Sequence, residues 1–148
     1  MAAGKRRRAR IIALQALFEA DSSQHDPRAS FDHIIADQGL TGDAATFARD
    51  LIEGVLAKQD EIDRAIAGAA PAWPVEQLAA VDRNILRLAI SEMLRDNGTP
   101  VGAVINEAVE LAKRFGSENS AKFVHGVLGA IERQRDALRA EPPAAGRG

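Results

Sequence analysis

Cysteine is absent from this sequence, and so is tyrosine. Without cysteine, disulfide frameworks, thiolate metal sites and cysteine nucleophiles are excluded. Aromatic residues amount to five Phe and one Trp. Alanine is abundant and β-branched runs are few, a balance that favours helix over sheet. Long apolar runs are also lacking. The longest stretch without a charge is Ala65–Val75, 11 residues that include Pro71 and Pro74. A bilayer-spanning helix needs about 20 apolar residues, so no membrane span is expected. Neither a G-x-S-x-G elbow, a P-loop nor a G-x-G-x-x-G turn occurs, which argues against the hydrolases and nucleotide enzymes that use them.

What is present is one domain's worth of chain, 148 residues, with a net charge of −2. The charge is unevenly placed. Lys5, Arg6, Arg7, Arg8 and Arg10 are the only charged side chains among the first ten residues, and the remainder carries 14 basic against 21 acidic groups. A basic head on an acidic body suggests an anionic partner for the head. Lys5–Arg10 followed by Ile11–Phe18 has the outline of a secretory signal. The apolar run is short and is broken by Gln15, and Glu19 and Asp21 stand where cleavage requires small residues. A cytoplasmic protein is expected.

Apolar spacing of three and four predicts helices throughout and no strand alternation. The first helix is expected over about residues 6–20, with Ile11, Leu14, Leu17 and Phe18 inward. The polar segment Asp21–Ser30, with Pro27, reads as a loop. A short helix over 31–37 turns Ile34 and Ile35 inward, and Asp43 is the expected N-cap of a long helix over 44–67. Phe47, Leu51, Val55, Ile62 and Ile66 form its stripe, with Ile52 and Leu56 beside it. Pro71-Ala72-Trp73-Pro74 divides the chain into two packed halves. A helix or helix pair follows to about Asp96 and is expected to be central, because its apolar set covers more than one face. Asn97-Gly98 reads as its stop. Val101, Val104, Ile105, Ala108, Leu111, Ala112 and Phe115 predict the next helix, with Glu110 and Arg114 as an i,i+4 pair. After Gly116, Ser117 or Ser120 is expected to cap a last helix that buries Val124, Val127, Leu128 and Ile131. The expected fold is all-α, about six or seven helices in two packed three-helix bundles. One domain is expected over residues 1–136 and a disordered tail over 137–148, where Glu141-Pro142-Pro143 begins a low-complexity end.

Two features bear on chemistry. The basic head opens a helix, where free N–H groups and the dipole already attract anions. A strand of phosphates would bind there in a salt-dependent way; a solvated basic end or a contact with an anionic membrane are the alternatives. The second feature is Gly116–Phe123, a helix stop followed by a helix start. Asn119, Lys122 and Phe123 supply an amide, a cation and an aromatic face, which suits a stacking platform for single-stranded RNA. An ordinary capped helix with Phe123 packed on a neighbour is the alternative. His25, His33 and His125 have no partner at metal-ligand spacing, and Asp60/Glu61/Asp63 and Glu107/Glu110 read as solvated faces. No catalytic residue, metal or cofactor is expected. Gly126 and Gly129 each cost a helix about 1 kcal/mol relative to Ala. Tight helix packing is the expected reason, and close approach of RNA the alternative.

These patterns together resemble the NusB transcription-antitermination family. Arg6-Arg7-Arg8-Ala9-Arg10, Ala13 and Gln15-Ala16-Leu17-Phe18 resemble its opening helix, and Val81-Asp82-Arg83-Asn84-Ile85-Leu86-Arg87 its central one. Pro100, Ile105–Lys113 and Phe115-Gly116 resemble its penultimate helix; Ser120, Lys122-Phe123-Val124 and Gly126-Val127-Leu128 complete a likeness over about residues 5–130. The resemblance implies two three-helix halves with an extra short helix, and a function without catalysis. It implies pairing with NusE, a small-subunit ribosomal protein, and joint recognition of the single-stranded boxA element of nascent RNA. It further implies docking on RNA polymerase with other Nus factors, so that premature termination is suppressed in ribosomal RNA operons. By position, Arg6, Arg7, Arg8 and Arg10 match the basic RNA-binding head, which Lys5 of the same run is expected to join, and Gln15 and Phe18 match the same surface, where Tyr is common at the Phe18 position. Asn119, Lys122 and Phe123 match a second RNA patch, Asn119 where Asp is frequent. His125 stands where Asn is usual. Glu76 and Asp82 fall on helices implied for NusE contact. Two rival expectations remain: a homodimeric helical scaffold that buries the basic head, and an RNA-binding module like that fused to ribosomal RNA cytosine methyltransferases. The sequence ends without a methyltransferase segment and holds no catalytic Cys, which favours the freestanding factor.

Overall fold

A computed structural model describes residues 1–95 and 98–140, with side chains to Asp136. It contains α1 (Ala3–Ser23), α2 (Pro27–Gln38), α3 (Gly42–Ala69), a 3-10 turn (Val75–Gln77), α4 (Ala80–Leu94), α5 (Val101–Phe115) and α6 (Ser120–Ala140). Among the described residues there is no strand. The expected stop at Asn97 lies outside the described residues, as does 141–148 of the expected tail, whereas residues 137–140, expected to be disordered, continue α6.

The first connection is far shorter than the sequence suggests. α1 continues to Ser23, Gln24 adopts a left-handed conformation, and Asp26 caps α2 by accepting from the Arg28 N–H at 3.0 Å. Pro27 therefore opens a helix instead of breaking one, because its missing N–H is unneeded in the first turn. The buried residues of α2 are Ser30 and Phe31, while Ile34 and Ile35 are half-buried. In α1 the inward face is Ile12, Leu14 and Leu17 with a seam of alanines at 9, 13, 16 and 20. Ile11 is only half-buried and Phe18 is exposed. The small residues let α2, α3 and α4 all lie against α1.

Thr41, not Asp43, occupies the N-cap position of α3, and Asp43 sits in the first turn where its charge complements the dipole. The helix is interrupted at Lys58 (φ −127°). Leu51, Ile52 and Val55 before the break, and Ile62 and Ile66 after it, are all buried. The 3-10 turn and α4 realise the expected helix pair.

α4 is the centre: it touches α1, α3, α5 and α6. Ile85, Leu86, Leu88, Ala89, Ile90 and Met93 are buried over more than half of its circumference, whereas Leu78, Val81 and Leu94 are half-buried. It also buries Asn84, Ser91 and Glu92. Ser91 Oγ donates to the Leu51 carbonyl across the α3–α4 contact. Gly54 allows that contact, since a Cβ there would collide with Ser91 Oγ. α1, α2 and α3 form one half and α4, α5 and α6 the other, joined mainly through α4 on α1 and α3. Their buried side chains make one continuous apolar core.

α5 has the expected bounds. Glu110 pairs with Lys113 at 3.4 Å, not with Arg114, whose guanidinium lies 5.1 Å from the Phe115 ring centre. Ser120 turns back into the preceding turn, its Oγ accepting from the Ser117 N–H at 2.8 Å. The Asn119 carbonyl accepts from the Phe123 N–H at 3.1 Å, which makes Asn119 the residue at the N-cap position. Gly126 is exposed with open space where a Cβ would stand, and at Gly129 a Cβ would meet only the Arg133 side chain at 3.3 Å. Tight helix packing therefore explains neither glycine. Among the described residues no helix is long and apolar enough to cross a membrane.

Candidate nucleic-acid interface

An α-helix turns 100° per residue, so a run of five cations cannot share one face. Arg6 and Arg10 are one turn apart on the inner side of α1. Both guanidiniums lie over Phe47 of α3, at 5.9 and 5.2 Å from its centre. Arg10 is 5% exposed and gives two hydrogen bonds to Glu92 of α4, at 2.8 and 2.6 Å. Its charge is thus committed to the core and is not displayed to a phosphate. Arg6 is half-buried, and its Nε is buried without an acceptor.

Arg7 and Arg8 share the outer stripe with Ile11, Gln15 and Phe18. Arg7 reaches Glu107 of α5 through Nε at 3.1 Å and Nη2 at 3.3 Å. The hydrogen bonds and charge of Glu107 push the already high Arg7 pKa higher. Arg8 donates to the Gln38 carbonyl at 2.6 Å, one of the free acceptors at the end of α2. Gln15 accepts from the Gln38 amide at 3.1 Å. Lys5 is exposed and has no partner among the described residues, and Phe18 is 39% exposed. Because α1 begins at Ala3, only Lys5 and Arg6 lie in or next to its first turn. Helix-dipole repulsion, which fades beyond that turn, therefore does not govern Arg7, Arg8 or Arg10.

The second patch opens α6. Asn119 and Lys122 are exposed, and Phe123 is half-buried against the core with one side open. With His125 beside it, exposed Gly126 extends this face by one turn. A shallow groove of about 220 Å³ between α1 and α5 starts at the head and is lined by Arg7, Ile11, Glu107, Glu110, Leu111, Lys113 and Arg114. It leads from the head to the end of α5, where the chain turns at Gly116 into α6. The sequence reading missed this groove and the inward turn of Arg6 and Arg10. Their i,i+4 spacing, opposite Gln15 and Phe18, was the available signal.

Glu76 and Asp82 lie elsewhere. Glu76 is exposed on the rim of a cleft of about 590 Å³ formed by the end of α1, the second part of α3 and the start of α4. Inside it Arg83 pairs with Asp21 at 2.8 Å and Arg87 with Asp63 at 2.9 Å. Asp63 is thus part of a partly buried network, not of a solvated face. Burial raises the Asp21 pKa, but hydrogen bonds from Arg83 and Asn84 and the charges of Arg83 and Arg87 outweigh it, leaving the carboxyl below its usual range. Asp82 is half-buried in the first turn of α4, with Oδ1 buried and unpartnered. Trp73, 59% exposed, stands on the preceding segment. Among the described residues no cluster of His, Asp and Glu could hold a metal.

Comparison with known proteins now bears on these surfaces. The family model described as the NusB family matches residues 7–133. The transcription antitermination protein NusB of Chloroflexus aggregans is 47% identical over 131 residues, spanning 87% of each chain. That of Heliobacterium modesticaldum is 43% identical, spanning 97% of this chain and 69% of its own. Among solved structures, T. maritima NusB superposes with a TM-score of 0.82 at 35% identity, over 90% of this chain and 96% of that one. A crystal structure of the antitermination factors NusB and NusE in complex with dsRNA gives 0.82 at 28% identity, over 90% and 99% of the two chains. The chain belongs to the NusB family.

Proposed function

We propose that this protein is a cytoplasmic transcription antitermination factor that acts without catalysis. It pairs with NusE, and the pair holds the single-stranded boxA element of nascent ribosomal RNA while docked on RNA polymerase with other Nus factors. The observation that carries the reading is the outer stripe of α1, where cations, an amide and an exposed Phe18 sit in line beside a groove that runs along α5 to Lys113 and Arg114. Family membership supports it, as does the likeness to a NusB–NusE structure containing RNA. In this reading Lys5, Arg7, Arg8 and Lys122 meet phosphates, Arg6 backs them from the inner side of α1, Phe18 and Phe123 stack on bases, and Gln15 and Asn119 hydrogen-bond the strand. Arg10 supports the surface from beneath. Residues 1–136 act as one RNA-binding domain, and Glu76 and Asp82 face NusE.

The test is fluorescence anisotropy with a boxA-like strand and a scrambled strand of equal length, with and without NusE, across a salt series. The expected result is tighter binding of the boxA-like strand, strengthened by NusE, with a negative log–log salt slope. Asp82→Lys is expected to abolish the strengthening by NusE while leaving the fold intact. Equal, weak binding of both strands, unmoved by NusE, would refute the proposal.

A further inference from the structure

Arg7 and Glu107 form a two-point fork between α1 and α5, Nε to Oε2 and Nη2 to Oε1. Those two parallel N–H groups are the pair with which an arginine grips a phosphate. The partners are unequally placed: the Arg7 side chain is 55% exposed and that of Glu107 19%. The guanidinium can swing outward, whereas the carboxylate stays on the wall of the groove. A strand running from the head toward Asn119 and Lys122 meets this ion pair at the groove entrance, and then Lys113, itself tied to Glu110.

We propose that Glu107 is a specificity-determining residue of the RNA interface: it occupies the Arg7 fork so that only a strand already held in register by stacking displaces it. The inference rests on the RNA-binding reading above. Phe18 lies eleven residues along the stripe of Arg7, about 16 Å at 1.5 Å per residue. A strand stacked on Phe18 and running along the stripe toward the head brings its following phosphates to Arg7 at high local concentration. A strand attracted by charge alone is not fixed there, and must displace a carboxylate that is tethered. Glu107 therefore weakens binding of unstacked strands more than that of stacked ones, which is selectivity by penalising the wrong ligand.

The experiment compares wild type, Glu107→Gln, Arg7→Ala and the double variant, each with NusE, on boxA-like and scrambled strands across a salt series. Glu107→Gln removes the charge and nearly preserves the shape. It is expected to tighten the scrambled strand by about two- to fivefold, the worth of an exposed ion pair. The salt slope for that strand should steepen by about 0.7 as one more phosphate is engaged. The boxA-like strand should change less than about twofold, so that discrimination falls. In the Arg7→Ala background Glu107→Gln should do nothing, since Glu107 acts through Arg7. Equal tightening of both strands, persistence of the effect without Arg7, or no effect at all would each overturn the inference. Should Glu107→Gln melt early, Glu107→Ala provides the same comparison. Wild type that prefers neither strand removes the RNA reading and this inference with it. A preserved wild-type preference with an inert Glu107→Gln removes the inference alone.

Discussion

Replacing Glu92 by Ala tests the most consequential placement in the structure. The Arg10 and Glu92 side chains are 6% and 1% exposed, and two short hydrogen bonds join them across α1 and α4. Removing the carboxylate leaves a guanidinium in the core with only the Phe47 face, 5.2 Å away, to offset its charge. Breaking a buried pair from one side costs about 3–5 kcal/mol, out of a total stability of about 5–15 kcal/mol. For a chain of this length each kcal/mol moves the melting temperature by about 2–4 °C, so Glu92→Ala is expected to melt roughly 6–20 °C lower. Thermal and urea unfolding followed by far-ultraviolet circular dichroism measure this. Replacing both partners by Met should return stability close to wild type, because no lone charge is then buried. The double variant should also keep the RNA salt slope of wild type. A melting temperature within about 2 °C of wild type for Glu92→Ala would refute the reasoning. So would a slope shallower by about 0.7 in the double variant, which would mark Arg10 as a phosphate contact.

Other outcomes follow from the same geometry. Phe123→Ala should weaken binding of a boxA-like strand by about 1–3 kcal/mol while leaving the salt slope unchanged, as loss of stacking requires; a shallower slope would contradict that role. Asp21→Asn should destabilise at neutral pH. Because the folded Asp21 carboxyl titrates below its usual range, its contribution is present above the unfolded value of about 3.9 and is lost as pH falls further. The stability gap to wild type should therefore close below about pH 4 in a pH series of urea melts. Gly54→Ala drives a Cβ into Ser91 Oγ and should cost about 1–3 kcal/mol, part of which Gly54→Ala with Ser91→Gly should regain in calorimetry.

Much of the architecture was legible because helical periodicity is a local property. The apolar stripe of α5, the central position of α4 and the division at Pro71–Pro74 follow from spacing, and all are realised. Where the reading failed, a residue had two local meanings. Pro27 can end a helix or begin one, and only Asp26 as a cap chose between them. Asp43 and Thr41 are both plausible caps, and Ser120 can bond forward or back. The cations of the head were visible as composition, yet five adjacent charges do not say which way each side chain points. That depends on what other helices bring alongside: Glu92 on α4 and Phe47 on α3 draw Arg10 inward, and Glu107 on α5 holds Arg7 at the surface. Sequence by itself determined an all-helical chain with an anion-seeking end, because hydrophobic spacing and net charge need no partner to be read. Tertiary structure alone decided which arginines stay at the surface, because an ion pair forms between residues some hundred positions apart only when packing brings their helices together.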